Sequence, residues 1–234
     1  MGKALYLLLF YMVARQLKTQ PTDSFVHIII FLTIVGGLLN TQIFNPTKDK
    51  FYAICIMRMD ARKYALTNYI YFLSKILVGF LPFSLIFGFL CGMNILACLA
   101  IPTFVVSVKL CFSAYSLLKT KKTNKSKNEN KISPLLWITT AALLLAAFFP
   151  PYLGYVINEG IFTILTFIMI IPGVFSIRYI LLFDEYRWVY KELLKPDYFA
   201  IITSKTYVTE MQRLTMNKKI SVKPNQRQVW LSIF

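Results

Sequence analysis

Residues 25–44 read FVHIIIFLTIVGGLLNTQIF, twenty positions with no Asp, Glu, Lys or Arg. A helix of that length rises about 30 Å, the thickness of a bilayer's hydrocarbon core, and it satisfies its backbone polar groups internally. The segment reads as a transmembrane helix, and the pattern recurs downstream. Apolar runs of similar length occupy 69–90, 93–118, 135–157 and 161–183. The predicted fold class is therefore an all-α integral membrane protein, a polytopic helical bundle. A shorter run at 4–14 stops before Arg15 and is below spanning length by itself. Counted as a partial span, it brings the expected total to six and puts both termini on one side.

The polar connections carry a strong charge asymmetry. Segment 45–63 holds Lys48, Lys50, Arg58, Arg62 and Lys63, and segment 119–132 holds Lys119, Lys121, Lys122, Lys125, Lys127 and Lys131. The chain after Phe183 adds nine more basic residues, so twenty of the 26 lie in these three segments. Even numbers of spans separate the three, which forces them onto one side. The positive-inside rule makes that side the cytoplasm, with a cytoplasmic C-terminus. The low-complexity loop KTKKTNKSKNENK, 119–131, reads as a disordered topology determinant.

Composition narrows the function classes. The chain is 57% apolar with mean hydropathy +0.58, a formal charge of +16 and a pI near 9.7. In a soluble protein that charge would point to nucleic acid. Spread over membrane-flanking loops, it is accounted for by topology and by anionic headgroups, so the lipid bilayer is the expected partner and nucleic acid is not. The cysteines Cys55, Cys91, Cys98 and Cys111 form no CxxC pair, and His27 is the only histidine. Neither metal nor cofactor binding is expected from that set, and His-Glu-x-x-His chemistry is excluded. With no Gly-x-Ser motif, no glutamate in the five long spans and no Walker motif, the chain does not read as an enzyme.

Three basic residues fall inside the apolar runs: Lys75, Lys109 and Arg178. Under the topology above all three lie in the cytoplasmic half, where their stems reach the headgroups, and they read as interface anchors. No acidic residue lies in the five long spans, which disfavours an ion-coupled carrier. Pro82, Pro102, Pro150, Pro151 and Pro172 interrupt the last four spans and permit kinks.

The most distinctive polar stretch is NPTKDKFYAICIMRMDARKY, residues 45–64. From Phe51 it favours helix, with Phe51, Ile54, Cys55 and Arg58 on one flank and Arg58 and Arg62 at i,i+4 spacing. It is too short and too charged to span, so it reads as an amphipathic helix at the cytoplasmic surface. Two roles fit: a solvated topological connection, or a docking helix whose charges set register with a partner.

Six spans, this connection and the basic loop after the fourth span resemble the permease of a type-2 bacterial ABC exporter. The string NTQIFNPTKDKFYAICIMRMDARKYALTNY, residues 40–69, is similar to permeases of low-GC Gram-positive bacteria. The resemblance covers roughly residues 25–195. It implies a multi-pass protein of the bacterial cell membrane that moves a substrate outward and leaves ATP hydrolysis to a separate ABC ATPase subunit. In such permeases this loop seats on the ATPase, which makes Arg58, Met59, Asp60, Ala61, Arg62 and Lys63 the implied contacts. The pathway would need a second permease copy or a missing C-terminal half, and the resemblance implies a truncated half of a larger permease as one expectation. The competing reading is a membrane accessory or immunity-type interaction protein with no transport cycle. No polar cluster in the spans defines a substrate.

The segment 184–234 forms the expected cytoplasmic tail, opening with an interfacial helix over 184–195. Tyr186, Val189, Tyr190, Leu193 and Leu194 make an apolar stripe. Arg187, Lys191 and Lys195 recur every four residues on another flank, and Trp188 suits the headgroup boundary. Pro196 ends the helix, and residues 196–234 carry no assignable role.

The topology has a direct test. In a background lacking the native thiols, single cysteines at positions 48, 125 and 205 should be protected from an impermeant external reagent, and one replacing Glu159 should label. Labelling at 125 in intact cells would overturn the orientation.

Overall fold

The computed structural model describes residues 2–17, 19–45, 47–124 and 133–194, and by internal contacts the chain divides into units Met1–Leu193 and Leu194–Phe234. Lys195, residues 125–132 of the basic loop and the tail beyond lie outside the described residues. Helices run α1 Gly2–Gln16, α2 Pro21–Leu39, α3 Lys48–Phe51, α4 Ala61–Cys91, α5 Ile95–Thr123, α6 Pro134–Leu153, α7 Glu159–Leu182 and α8 Tyr186–Leu193, with a π-helical turn Tyr52–Ile56 after α3. The protein is an all-α polytopic bundle. Among the described residues five helices (α2, α4, α5, α6 and α7) are long and apolar enough to cross a membrane. Helix α1, with 15 residues, rises only about 22 Å, short of the hydrocarbon thickness. It packs on α2 and α4 through Leu7, Phe10 and Ala14, all buried.

Local chemistry sets the helix ends. Pro21 occupies the first turn of α2 and Asp23 complements its N-terminal dipole. Asp60 caps α4 and Ser133 caps α6, whose first residue is Pro134. Gly92 (φ +82°) and Gly154 (φ +94°) close α4 and α6 in the left-handed conformation that glycine adopts without a Cβ penalty. The connections that follow them are short, and α4 and α5 pack as an antiparallel hairpin, whereas α6 packs on α2 and α7 on α5.

These ends fall into two layers. At one, Asp23 Oδ1 accepts from the Glu159 N–H (3.1 Å), Glu159 Oε1 accepts from the Asn94 N–H (2.7 Å), and the Thr22 hydroxyl donates to the Cys91 carbonyl (2.8 Å). This layer gathers the N-termini of α2, α5 and α7, where carboxylates are favoured. The opposite layer gathers the C-termini of those helices and the N-termini of α4 and α6, and the three basic segments begin there.

Helices α2 and α5 are central. About half of each spanning window is buried, against about a sixth for α6 and α7. Helix α5 packs on α4 and α7, and α2 packs on α6. Gly173 lets α7 approach α5 closely, since a Cβ there would lie 3.3 Å from Ser107 Cβ. Leu135, Leu145 and Phe175 on the outer faces are each about 70% exposed, an apolar surface suited to a lipid surround.

Several expected boundaries move. The run predicted at 25–44 is helical over Pro21–Leu39, and Ile43 and Phe44 are buried in a loop after the helix. The predicted span 69–90 begins at Ala61, because Asp60 caps the helix there. The predicted 135–157 stops at Leu153, where Gly154 ends it. The predicted 93–118 and 161–183 correspond to α5 and α7.

His27 shows how a broken helix is repaired. Pro150 has no N–H, so the Ala146 carbonyl one turn earlier loses its helical donor. His27, 5% exposed on α2, meets that oxygen through Nε2 at 3.0 Å. His27→Leu should therefore cost about 1 kcal/mol, read as a lower unfolding midpoint in detergent. In a Pro150→Ala background the restored N–H should largely abolish that cost, and an undiminished cost would disprove the assignment.

Candidate functional site

The sequence singles out the 45–63 connection, and its structure is not one helix. Four α-helical residues pass into the π-helical turn, which closes with the Met57 N–H donating to the Tyr52 carbonyl (2.8 Å) and the Met59 N–H to the Ala53 carbonyl (3.0 Å). Between these bonds Arg58 takes φ +52°, the left-handed conformation that usually ends a helix at glycine. For a residue with a Cβ this costs roughly 1–2 kcal/mol. Helix α4 then starts afresh at Ala61. The expected i,i+4 pairing of Arg58 with Arg62 does not form, because a chain reversal separates them. The result is a knob: Met57 is 71% exposed, Met59 50% and Tyr52 48%, with Arg58 and Asp60 also exposed.

The six expected contact residues thus separate by environment. Arg58, Met59 and Lys63 present their side chains to solvent. Asp60 is exposed but engaged as the cap of α4, its Oδ1 accepting from the backbone N–H groups of Arg62 (2.9 Å) and Lys63 (3.4 Å). Ala61 is 4% exposed and offers no contact surface, since it already lies in the packed first turn of α4. Arg62 is used within the chain. Its Nη1 pairs with Asp184 Oδ1 (2.6 Å) and its Nη2 donates to the Leu181 carbonyl (2.6 Å). The guanidinium thereby ties the start of α4 to the end of α7, where a cation also complements the helix dipole.

Behind the knob lies a residue the sequence reading counted only as one more positive charge. Lys50 is 1% exposed. Its Nζ donates to the carbonyls of Gln42 (2.8 Å), Asn45 (2.8 Å) and Ile43 (3.3 Å), and lies 5.5 Å from the centre of the Tyr190 ring. The Tyr190 hydroxyl donates to the same Ile43 carbonyl at 3.2 Å. One buried ammonium thus organises the loop after α2 and anchors α8 to it. A sequence clue existed in Tyr190 on the apolar stripe of α8, but nothing local links it to Lys50.

Helix α8 corrects another expectation. Tyr186, Val189, Tyr190 and Leu193 are buried against the protein, so this stripe is core and not a membrane-facing surface. An eight-residue helix has little stability alone, and each fully buried side chain contributes roughly 1.5–3 kcal/mol toward holding it. Arg187, Trp188 and Lys191 occupy the exposed face. The Tyr186 hydroxyl donates to the Ile180 carbonyl (2.9 Å), and burial pushes its pKa well up, so it stays neutral.

The span lysines divide as well. Lys109 does not simply extend toward headgroups: its Nζ donates to the carbonyls of Asn40 (3.0 Å) and Gly36 (3.2 Å) at the end of α2, and lies 5.5 Å from the Phe72 ring centre. Lys75 and Arg178 are exposed on α4 and α7. Among the described residues no cluster of three His, Cys, Asp or Glu side chains could hold a metal. Comparison with protein-family models, with curated proteins and with solved structures finds no match to this chain.

The two cations that tie this layer should differ in weight. Lys50→Met leaves buried carbonyls unsatisfied, at about 1–3 kcal/mol per orphaned group. Arg62→Ala removes a solvent-exposed pair worth about 0–1 kcal/mol. Thermal unfolding in mild detergent should show a much larger loss for Lys50→Met, and similar losses would show that Lys50 is not the organising residue.

Proposed function

We propose that the chain is the membrane-spanning permease subunit of an ATP-driven exporter in the bacterial cell membrane, docking a separate ABC ATPase through the knob around Arg58. The observation that carries this reading is the combination of exposure and restraint. Apolar and charged side chains project from a left-handed turn held by two backbone hydrogen bonds, and the loop behind it is fastened to α8 by Lys50, while Arg62 joins α4 to α7. A load applied to such a knob moves several helices together instead of bending a flexible loop. Methionine fits partner-facing surfaces because its unbranched side chain adapts to a groove. The bundle would complete a two-fold pathway with a second permease copy or a further permease half. The positive-inside rule places the knob in the cytoplasm, where ATP is hydrolysed.

Association tests this. With the full chain expressed beside the ATPase encoded nearest to it, Met57→Asp with Arg58→Glu should cut co-purification at least about tenfold, the effect of losing about 1.4 kcal/mol. Lys125→Glu with Lys127→Glu should change it far less. Arg58→Gly should raise the thermal midpoint by relieving the left-handed strain, yet weaken association. Equal losses from the knob and Lys125/Lys127 variants would mean that only net positive charge matters. No nucleotide-binding partner in the native host would favour the accessory-protein reading.

A further inference from the structure

Helices α1, α2, α4 and α5 enclose a groove of about 360 Å³. Its walls are mostly apolar, with Ile29 on α2 and Ile76 and Phe80 on α4 among them, and Lys109 is the one charged residue of the lining. Along α2 the lining runs from Ile29 to Asn40, eleven residues or about 16 Å. A Cβ built on Gly36 would meet nothing within 4 Å, so the wall there faces open space. The rim residue Tyr6 is 39% exposed, which leaves the groove reachable from the side.

The charge sits at one end. Lys109 lies fourteen residues along α5 from Ile95, about 21 Å into the helix, and its ammonium meets the final carbonyls of α2. That is the end from which the basic segments emerge. The groove is therefore an apolar trough with a fixed cation at its head, opening toward lipid.

Physical chemistry limits what would select an occupant. An acyl chain leaving other lipid for an apolar groove gains little, since both environments are equally apolar. Discrimination must come from the head, where an ammonium favours a phosphate over a zwitterionic or neutral group. We propose that this groove binds one anionic phospholipid of the leaflet on the basic side, its acyl chain along α2 and its phosphate on Lys109. The site needs no ATPase partner and stands apart from the exporter reading.

Photo-crosslinking tests it. The purified full chain would be placed in phosphatidylcholine nanodiscs containing a small fraction of acyl-photoactivatable phosphatidylglycerol or, separately, phosphatidylcholine. Phosphatidylglycerol should label the α2 and α4 peptides about fivefold more, about 1 kcal/mol of preference. Gly36→Leu, whose Cβ meets no atom within 4 Å and whose side chain would project into the groove, should remove most of that labelling. Lys109→Gln should bring the two probes level, and Lys109→Arg should keep the preference. The arginine variant guards against a lost α2 cap being mistaken for a lost ligand contact. Equal labelling by both probes, labelling unchanged by Gly36→Leu, or loss of the preference in excess inorganic phosphate would each overturn the proposal.

Discussion

A backbone carbonyl in a bilayer has no water to accept from, so every interruption of a helix leaves a polar atom that the protein must satisfy itself. Much of this bundle follows from that constraint. Where Pro150 frees the Ala146 carbonyl, His27 reaches it. Where α2 ends, Lys109 takes the carbonyls of Gly36 and Asn40. At the exposed end of α7, where water is also at hand, Arg62 takes that of Leu181. Where the chain bends after α2, with Gln42 at φ +65°, Lys50 gathers three carbonyls at once. Each donor comes from a different element than its acceptor except Lys50, whose loop is closed onto α8 by Tyr190. Satisfying a broken helix therefore also fixes how neighbouring elements sit against each other.

The same arrangement reconciles charge with helix polarity. The C-termini of α2, α5 and α7 point to one side: Lys121 and Lys122 lie in the last turn of α5, Arg62 meets the end of α7, and Lys109, midway along α5, meets the end of α2. The N-termini of those helices share the other, where Asp23 accepts from the first N–H of α7 and Glu159 from the Asn94 N–H just before α5. Charge asymmetry that orients the chain during insertion thus also complements the dipoles of the folded helices. Topology and stability draw on the same residues.

Packing between the helices relies on shape more than on the hydrophobic effect, because lipid solvates an outer leucine as well as another helix does. Close approach comes at small residues. Gly173 meets Ser107, and Gly37 leaves room for the Phe112 ring. At the basic end, outside the hydrocarbon, the ordinary aqueous hydrophobic effect returns. There Tyr186, Val189, Tyr190 and Leu193 bury a full helix face, so the layer beneath the knob is the part of the molecule that resembles a soluble domain.

The fold class was legible in the sequence because it rests on additive, local properties. Twenty apolar residues span wherever they occur, and basic residues on alternate connections orient the spans regardless of their partners. The knob was legible as a polar stretch of unusual composition, and Arg58 and Met59 do face solvent. What the sequence left undecided were choices between competing partners. Ile43 and Phe44 extend an apolar run yet belong to the loop, because the chain turns at Gln42 (φ +65°) and Lys50 holds the bend. The stripe of α8 has the same spacing whether it meets lipid or protein, and only the neighbouring elements decide for protein. Arg62 pairs with an aspartate 122 positions away, and Lys109 donates to a helix end about 70 residues earlier. Such contacts leave no trace in local periodicity or charge count, since they exist only once the helices have packed and the freed carbonyls have chosen their donors.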